Sequence, residues 1–266
     1  MILLECKQLI RSRWIQIVAV LFAIVFTAIL MIQHLALPET GGFTRQTASL
    51  LNILLFLLPL FMLTIGSMNL ASDKETGWLG LLRTYPLSMG QYVLTKYIAL
   101  CIVFTGIIIF VFAIAFLVGS FFGGLKLPLF AIGITVLILL IFNAVSVLVG
   151  SLAKSRLHAL AMGLGVWSVV SLLFSYIVMA IGTVTSENFL QQLVIVTIHI
   201  NPLEWIRYAY FVFSEQTAVL GPAFYGISKF YGSAPGFLFF GLISCLWVVG
   251  SLVTATVILK IRGKRV

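Results

Sequence analysis

Charge is what this 266-residue chain has least of: Asp, Glu, Lys and Arg together make up 9% of it, against about a quarter of a soluble domain. With 62% hydrophobic residues and 13% aromatics, that scarcity excludes a soluble globular domain and defines an integral membrane protein. Cysteine is sparse too. Cys6, Cys101 and Cys245 are dispersed with no C-x-x-C, which argues against an internal disulfide or zinc site and leaves the redox compartment open. No G-x-x-x-x-G-K-[ST] occurs; Lys154 and Lys264 lack the preceding glycine spacing, so ATP hydrolysis by a P-loop is excluded. No G-x-S-x-G occurs either, and His34, His158 and His199 fall near expected span ends, so no catalytic residue is assigned. A basic domain with interleaved aromatics is missing, and nucleic acid is not an expected partner.

What is present is a series of long apolar runs. Gaps between charges of 25 to 30 residues each exceed the roughly 20 needed to cross a bilayer. They place six transmembrane helices near 14–37, 48–71, 93–123, 129–152, 158–182 and 236–260, an all-α fold in a single domain, 1–266. The first run follows Lys7, Arg11 and Arg13 but is too long for a signal-peptide core and lacks a small-x-small cleavage site, so an uncleaved span is expected. Residues 1–13 read as an interfacial helix, with Ile2, Leu3, Cys6, Leu9, Ile10 and Trp14 on one face and Lys7 and Arg11 opposite.

Basic residues set the expected orientation. Lys7, Arg11, Arg13, Lys74, Arg83, Lys96, Lys154, Arg156, Lys260, Arg262, Lys264 and Arg265 share one face, leaving Arg45, Lys126, Arg207 and Lys229 for the other. Both termini are expected to be cytoplasmic, in the inner membrane, with the net charge of +9 serving insertion and contact with anionic lipid. The interiors of the spans are read as free of ionisable residues, which disfavours proton- or sodium-coupled carriage.

Two connections stand out. On the outer side, 183–235 is long for a passive loop. It contains FLQQLVIVTIHI, too short to cross and suited to a re-entrant or interfacial helix. It also contains NPLEWIRYAYF, where Asn201 can cap a helix opened by Pro202 with Glu204 completing a capping box and Arg207 one turn on. His199, Asn201, Pro202, Glu204 and Arg207 are the candidate gate or partner-docking residues. On the inner side, SDKETGWLGLLRTYPLSMGQYVLTK (72–96) places charge between two apolar runs. Ser72 with Glu75 predicts a helix start; Trp78, Leu79, Leu81 and Leu82 give it an apolar face, Pro86 stops it, and Ser88 with Gln91 caps the next helix. The choice is between a solvated interfacial turn and a helix that docks a cytoplasmic partner.

That stretch resembles the segment between the second and third spans of ABC-2-type transporter permeases, an E-x-x-x-G-T-L-x-x-L-x-x-x-P-L pattern followed by Lys. Gly77, Leu79, Leu82, Pro86, Leu87 and Lys96 stand in the matching places, with Glu75 as the acid two residues before the glycine and Trp78 where a small polar residue is usual. TYPL (84–87), GQYVLTK (90–96), ALAMGLGVW (159–167) and INPLEWIR (200–207) are similar to the NosY-like branch, the permease subunit of the nitrous oxide reductase maturation transporter. The resemblance implies a homodimer, or pairing with a similar half, and two cytoplasmic ABC ATPase subunits. ATP and Mg would belong to those subunits, this chain having no cofactor of its own. Asp73, Glu75, Gly77, Leu79, Leu82, Arg83 and Pro86 would then be the ATPase-coupling residues, and an extracytoplasmic accessory protein would seat on 183–235. The implied role is support of copper–sulfur centre assembly, by export of a sulfur compound or by transmitted motion. An ABC-2 exporter of lipid, antibiotic or polysaccharide, and a non-transporting scaffold, remain open.

Met31 and His34 lie one turn apart, and thioether and imidazole suit copper, but a lone pair is more often packing; no metal site is assigned. Ser168, Ser171 and Ser175 make a polar stripe on the fifth span that either lines a pathway or lets helices approach.

Overall fold

The computed structural model describes residues 1–36, 45–82, 87–121, 129–214 and 216–263. Among these there is no strand. The helices in order are α1 (Ile2–Ile10), α2 (Arg13–Ala36), α3 (Arg45–Glu75), α4 (Trp78–Leu82), α5 (Met89–Ser120), α6 (Leu129–Leu152) and α7 (Arg156–Ser168), the last continued by a π-helical turn, Val169–Leu173. Then follow α8 (Phe174–Gly182), α9 (Glu187–Ile200), α10 (Pro202–Phe213), two short 3-10 turns, α11 (Tyr225–Tyr231) and α12 (Ala234–Gly263).

Five stretches are long and apolar enough to cross a membrane: Ala48–Glu75, Met89–Ser120, Ala131–Leu152, Arg156–Gly182 and Ala234–Arg262; the bent pair α1/α2 makes six. At 24 residues α2 is about 36 Å long, more than the hydrocarbon thickness. The expected spans therefore have helical counterparts, with α3, α7 and α12 starting earlier or ending later than the apolar runs suggested.

The core is built on α6, which packs against α3 and α12, while α7 packs on α3 beside it and α2 pairs with α5. Small residues set the closest approach, as expected where apolar helices meet without a hydrophobic drive between them. A Cβ on Gly163 of α7 would stand 2.7 Å from the Leu63 carbonyl oxygen of α3, so glycine is what lets these backbones meet. One turn away, the Ser67 hydroxyl donates across the same seam to Ala159 O at 3.0 Å.

The N-terminal helix differs from expectation. A 65° bend separates it from α2, and the break at Arg11–Ser12 is closed by Gln16 Nε2 donating to Ile10 O. Its inward face is Glu5, Cys6 and Leu9, packed against α5, whereas Leu3, Leu4, Ile10 and Trp14 are exposed. An acidic side chain occupies the face that spacing assigned to hydrophobic residues, because the partner it needs lies on α5.

Candidate functional sites at the two ends of the bundle

At the end rich in basic residues, the expected helix start at Ser72 does not occur. Helix α3 runs unbroken to Glu75, and Thr76 Oγ1 donates back to Ser72 O at 2.9 Å. The turn comes at Gly77, whose φ of +76° is open to glycine at little cost. Beyond it, α4 turns Leu79 inward at 6% exposure and presents Trp78 and Leu81 outward. Of the expected coupling residues, the side chain of Leu82 and all of Arg83 and Pro86 lie outside the described residues. The Ser88–Gln91 capping box that opens α5 forms as expected, with both reciprocal hydrogen bonds.

Asp73 and Glu75, two residues apart at the end of one helix, face different surroundings. Asp73 is buried at 3% exposure, where its carboxylate accepts from Tyr92 OH at 2.8 Å and pairs with Lys96 Nζ at 2.8 Å. Lys96, wholly buried, also donates to Glu5 Oε2 at 2.5 Å. Two carboxylates from α1 and α3 thus share one ammonium on α5. Charges taken out of water hold together only when paired and hydrogen-bonded, so this cluster clamps three elements. Lys96, which the sequence reading counted on the basic face, lies two turns into α5 at that end and is paired across helices. Glu5 and Tyr92 were not singled out by the sequence reading. The available signals were the single acid within the basic N-terminal helix and the Tyr–Lys pair four residues apart on α5.

Glu75 stays half exposed and reaches α7, accepting the Arg156 backbone N–H at 2.8 Å, where a carboxylate suits a helix N-terminus. Its 4.0 Å approach to the Arg156 guanidinium adds little in that solvated setting. Beside it, Lys74 Nζ donates to Gly150 O, Ser151 O and Ala153 O, and Arg262 donates to Ser151 O and Leu152 O. Two cations therefore cap the last carbonyls of α6 and tie α3 and α12 to it.

At the opposite end, α9 and α10 form a helical hairpin, and α10 packs against α6 and α3. It is a buried element: Leu203, Trp205, Ile206, Tyr208, Ala209 and Tyr210 are each under 5% exposed. Asn201, itself fully buried, accepts from Leu203 N with its side-chain oxygen and donates from Nδ2 to Val170 O at 2.8 Å. That second bond serves a carbonyl in the π-helical turn of the fifth span, where the helical ladder shifts register. Glu204 does not complete the expected capping box; its carboxylate takes Arg207 Nη1 at 2.6 Å instead. His199 Nδ1 lies 2.7 Å from Ile195 O, an acceptor only, so this nitrogen carries the hydrogen and Nε2 accepts from Tyr231 OH at 2.6 Å. Trp205 stacks on Phe240 at 4.7 Å between ring centroids and donates to Ser244 Oγ, tying α10 to α12. Asn201 and Pro202 are thus interior residues, and a docking partner would meet them only if the hairpin moved. Burial pushes the Tyr208 phenol up, and burial, with Tyr208 alongside, pushes Tyr231 up to about 12.

Of the serine stripe, Ser171 and Ser175 line two different cavities, both reached by Arg207, and Ser168 lines neither. Met31 is half-buried and the side chain of His34 lies outside the described residues.

An all-helical bundle of five to six apolar spans, latched by charge at one end and plugged by a helical hairpin at the other, defines a multi-pass membrane protein. The chain belongs to the family described as ABC-2 family transporter protein, whose profile matches residues 1–263. Members of that family are membrane subunits of transporters. Two curated relatives, each named probable ABC transporter permease protein NosY, match at lower identity. The one from Pseudomonas aeruginosa is 29% identical over 222 residues, 76% of this chain and 77% of the relative; the one from Stutzerimonas stutzeri is 27% identical over 220 residues, with the same coverage.

Proposed function

We propose that the chain is the permease half of an ABC transporter in the inner membrane. It pairs with a second copy, and two separate ATPase subunits that bind ATP and Mg drive it from the basic, cytoplasmic end. The observation that carries this reading is α4. Its outward Trp78 and Leu81 form an apolar contact face on a turn whose root is clamped to α5 through Asp73 and to α7 through Glu75, with Glu5 of α1 held on the same Lys96. A push on α4 therefore reaches α3, α5 and α7 through direct bonds, the N-terminal helix through Lys96, and α6 through the adjoining Lys74, where Arg262 of α12 also bonds. Within this reading Glu75 and Gly77 shape the coupling element and Asp73 anchors it. The likeness to proteins named NosY supports maturation of the copper–sulfur centre of nitrous oxide reductase as the task, with the α9–α10 hairpin as the moving element beneath an extracytoplasmic partner.

The test is co-purification of the native chain in mild detergent, followed by ATP-driven activity of the double variant Trp78→Ala/Leu81→Ala. Both side chains are about half exposed, so truncation should leave the melting temperature within about 4 °C, since exposed sites rarely cost more than about 0.5 kcal/mol each. Coupled activity should nonetheless fall by at least about tenfold, the effect of losing about 1.4 kcal/mol of contact. Wild-type coupling in the double variant, or the absence of any co-purifying ATPase, would refute the assignment.

A further inference from the structure

Where α1 bends into α2, a cavity of about 230 Å³ opens against α3 and the start of α7. It is smaller than the roughly 300–1,000 Å³ of sites for drug-sized ligands, so it admits one compact group. Its polar lining includes Gln8, Ser12, Ser72 and Arg156, and no described carboxylate lines it. The rest is apolar, with Trp14 of α2 and Ile65 of α3 among it.

Those four polar side chains are open, and the protein makes no use of them. Gln8 and Arg156 are exposed, and Ser12 and Ser72 are half-buried. None of the four side chains hydrogen-bonds to a described residue; the Arg156 guanidinium comes within 4.0 Å of Glu75, in solvent, and Glu75 does not line the cavity. Lys7, Arg11 and Arg13 are exposed nearby in sequence, so the potential at this corner is positive. A guanidinium with hydroxyl and amide side chains around a compact chamber, and no acid on the wall, is a composition suited to a phosphate group.

The apolar surroundings identify the source of that phosphate. Trp14, which lines the cavity, begins a stripe of exposed residues on α2 that continues through Ile17, Leu21 and Ile24 at alternating three- and four-residue steps. At 1.5 Å per residue the stripe is about 15 Å long, which is half of a hydrocarbon core about 30 Å thick. Trp14 itself has the amphipathic ring that settles at headgroup level. A polar chamber at the interface thus leads onto a track one leaflet deep.

We propose that this corner binds an anionic glycerophospholipid, its phosphodiester held by Arg156 with the Gln8, Ser12 and Ser72 side chains and one acyl chain laid along the stripe of 14–24. A headgroup carrying an amine, as in phosphatidylcholine, would bring a cation beside Arg156 with no carboxylate on the wall to receive it. The bound lipid bridges α1, α2, α3 and α7. The proposal does not depend on α4 as a coupling element, and its test reads no ATPase activity, so either can fail without the other.

The test uses the full-length chain purified in neutral detergent, with native mass spectrometry of phosphatidylglycerol against phosphatidylcholine of the same acyl chains. Wild type and Lys7→Gln, which removes an exposed cation outside the cavity wall, should both retain phosphatidylglycerol in preference. Arg156→Gln should weaken that retention by at least about tenfold, since it removes the charge and its hydrogen bonds. Ser12→Ala/Ser72→Ala removes two hydroxyls that bond to nothing in the protein, so the fold is preserved, and should weaken it by about tenfold. Thermal stabilisation by sodium phosphate against sodium chloride at equal ionic strength tests the soluble alternative and should be absent. The proposal is overturned by equal retention of the two lipids in the wild type, or by wild-type retention in the double serine variant. It is also overturned if Lys7→Gln loses as much as Arg156→Gln, which marks diffuse attraction to the basic surface, or if phosphate stabilises the chain as well as phosphatidylglycerol does.

Discussion

Replacing Lys96 by Met tests the charge clamp directly. Met keeps most of the side-chain volume and removes the ammonium that Glu5 and Asp73 share at 2.5 and 2.8 Å. Both carboxylates are under 6% exposed, so neither can turn to water without moving α1 or α3. Breaking a buried pair by removing one partner costs about 3–5 kcal/mol. At about 2–4 °C per kcal/mol for a chain of this size, the melting temperature should fall by roughly 6–20 °C. The same reasoning makes a second, sharper demand. Removing all the charge at once, in the triple variant Glu5→Gln/Asp73→Asn/Lys96→Met, takes away the uncompensated carboxylates and should recover most of the loss, because a neutral replacement of a buried ionic cluster is often harmless or stabilising. Thermal unfolding in detergent followed by tryptophan fluorescence measures both. A fall of less than about 2 °C for the single variant, under 1 kcal/mol by the same conversion, would show that the cluster carries no clamp. A triple variant no more stable than the single would show that the loss comes from packing and not from stranded charge.

Two further measurements bear on the rest of the frame. Gly163→Ala places a methyl 2.7 Å from the Leu63 carbonyl oxygen and should cost about 1–3 kcal/mol by forcing α7 from α3, read as a lower melting temperature; an unchanged value would mean that the seam is looser than its geometry. The aromatic cluster between α10 and α11 should be pH-sensitive only in strong base. Tyr208 and Tyr231 have phenol pKa values raised above the unfolded value of 10.0, that of Tyr231 to about 12, so their contribution is complete below pH 10 and is lost as the pH climbs toward 12. Near-ultraviolet absorbance should show their ionisation displaced above pH 10; titration of both at the free-tyrosine value would contradict the burial.

What could be read without coordinates was local and one-dimensional. The spans follow from gaps between charges, because a bilayer demands about 20 uninterrupted apolar residues wherever the chain crosses. The caps at Ser88 and Asn201 were legible for the same reason: each bonds an N–H two or three residues away. The start expected at Ser72 failed because the same Ser-x-x-Glu spacing also occurs inside a helix, and only the left-handed turn at Gly77 marks where the chain leaves it.

Tertiary structure decided which of the scarce charges face inward. Nothing in DKE distinguishes Asp73 from Glu75, yet rotation by two helical positions sends one to Lys96 and the other to Arg156. Lys96 and Glu5 are 91 residues apart, and Val170 and Asn201 are 31 apart, so these pairings exist only once the helices pack. The cavity at Arg156 arises in the same way, from four helices that meet at one corner. By itself the sequence determined that this chain lives in a membrane and roughly where it crosses, since hydrophobicity acts residue by residue. Which charges clamp the helices, and which donors are left without a partner, depended on packing, because a buried charge is stable only beside a partner that the chain must fold to supply.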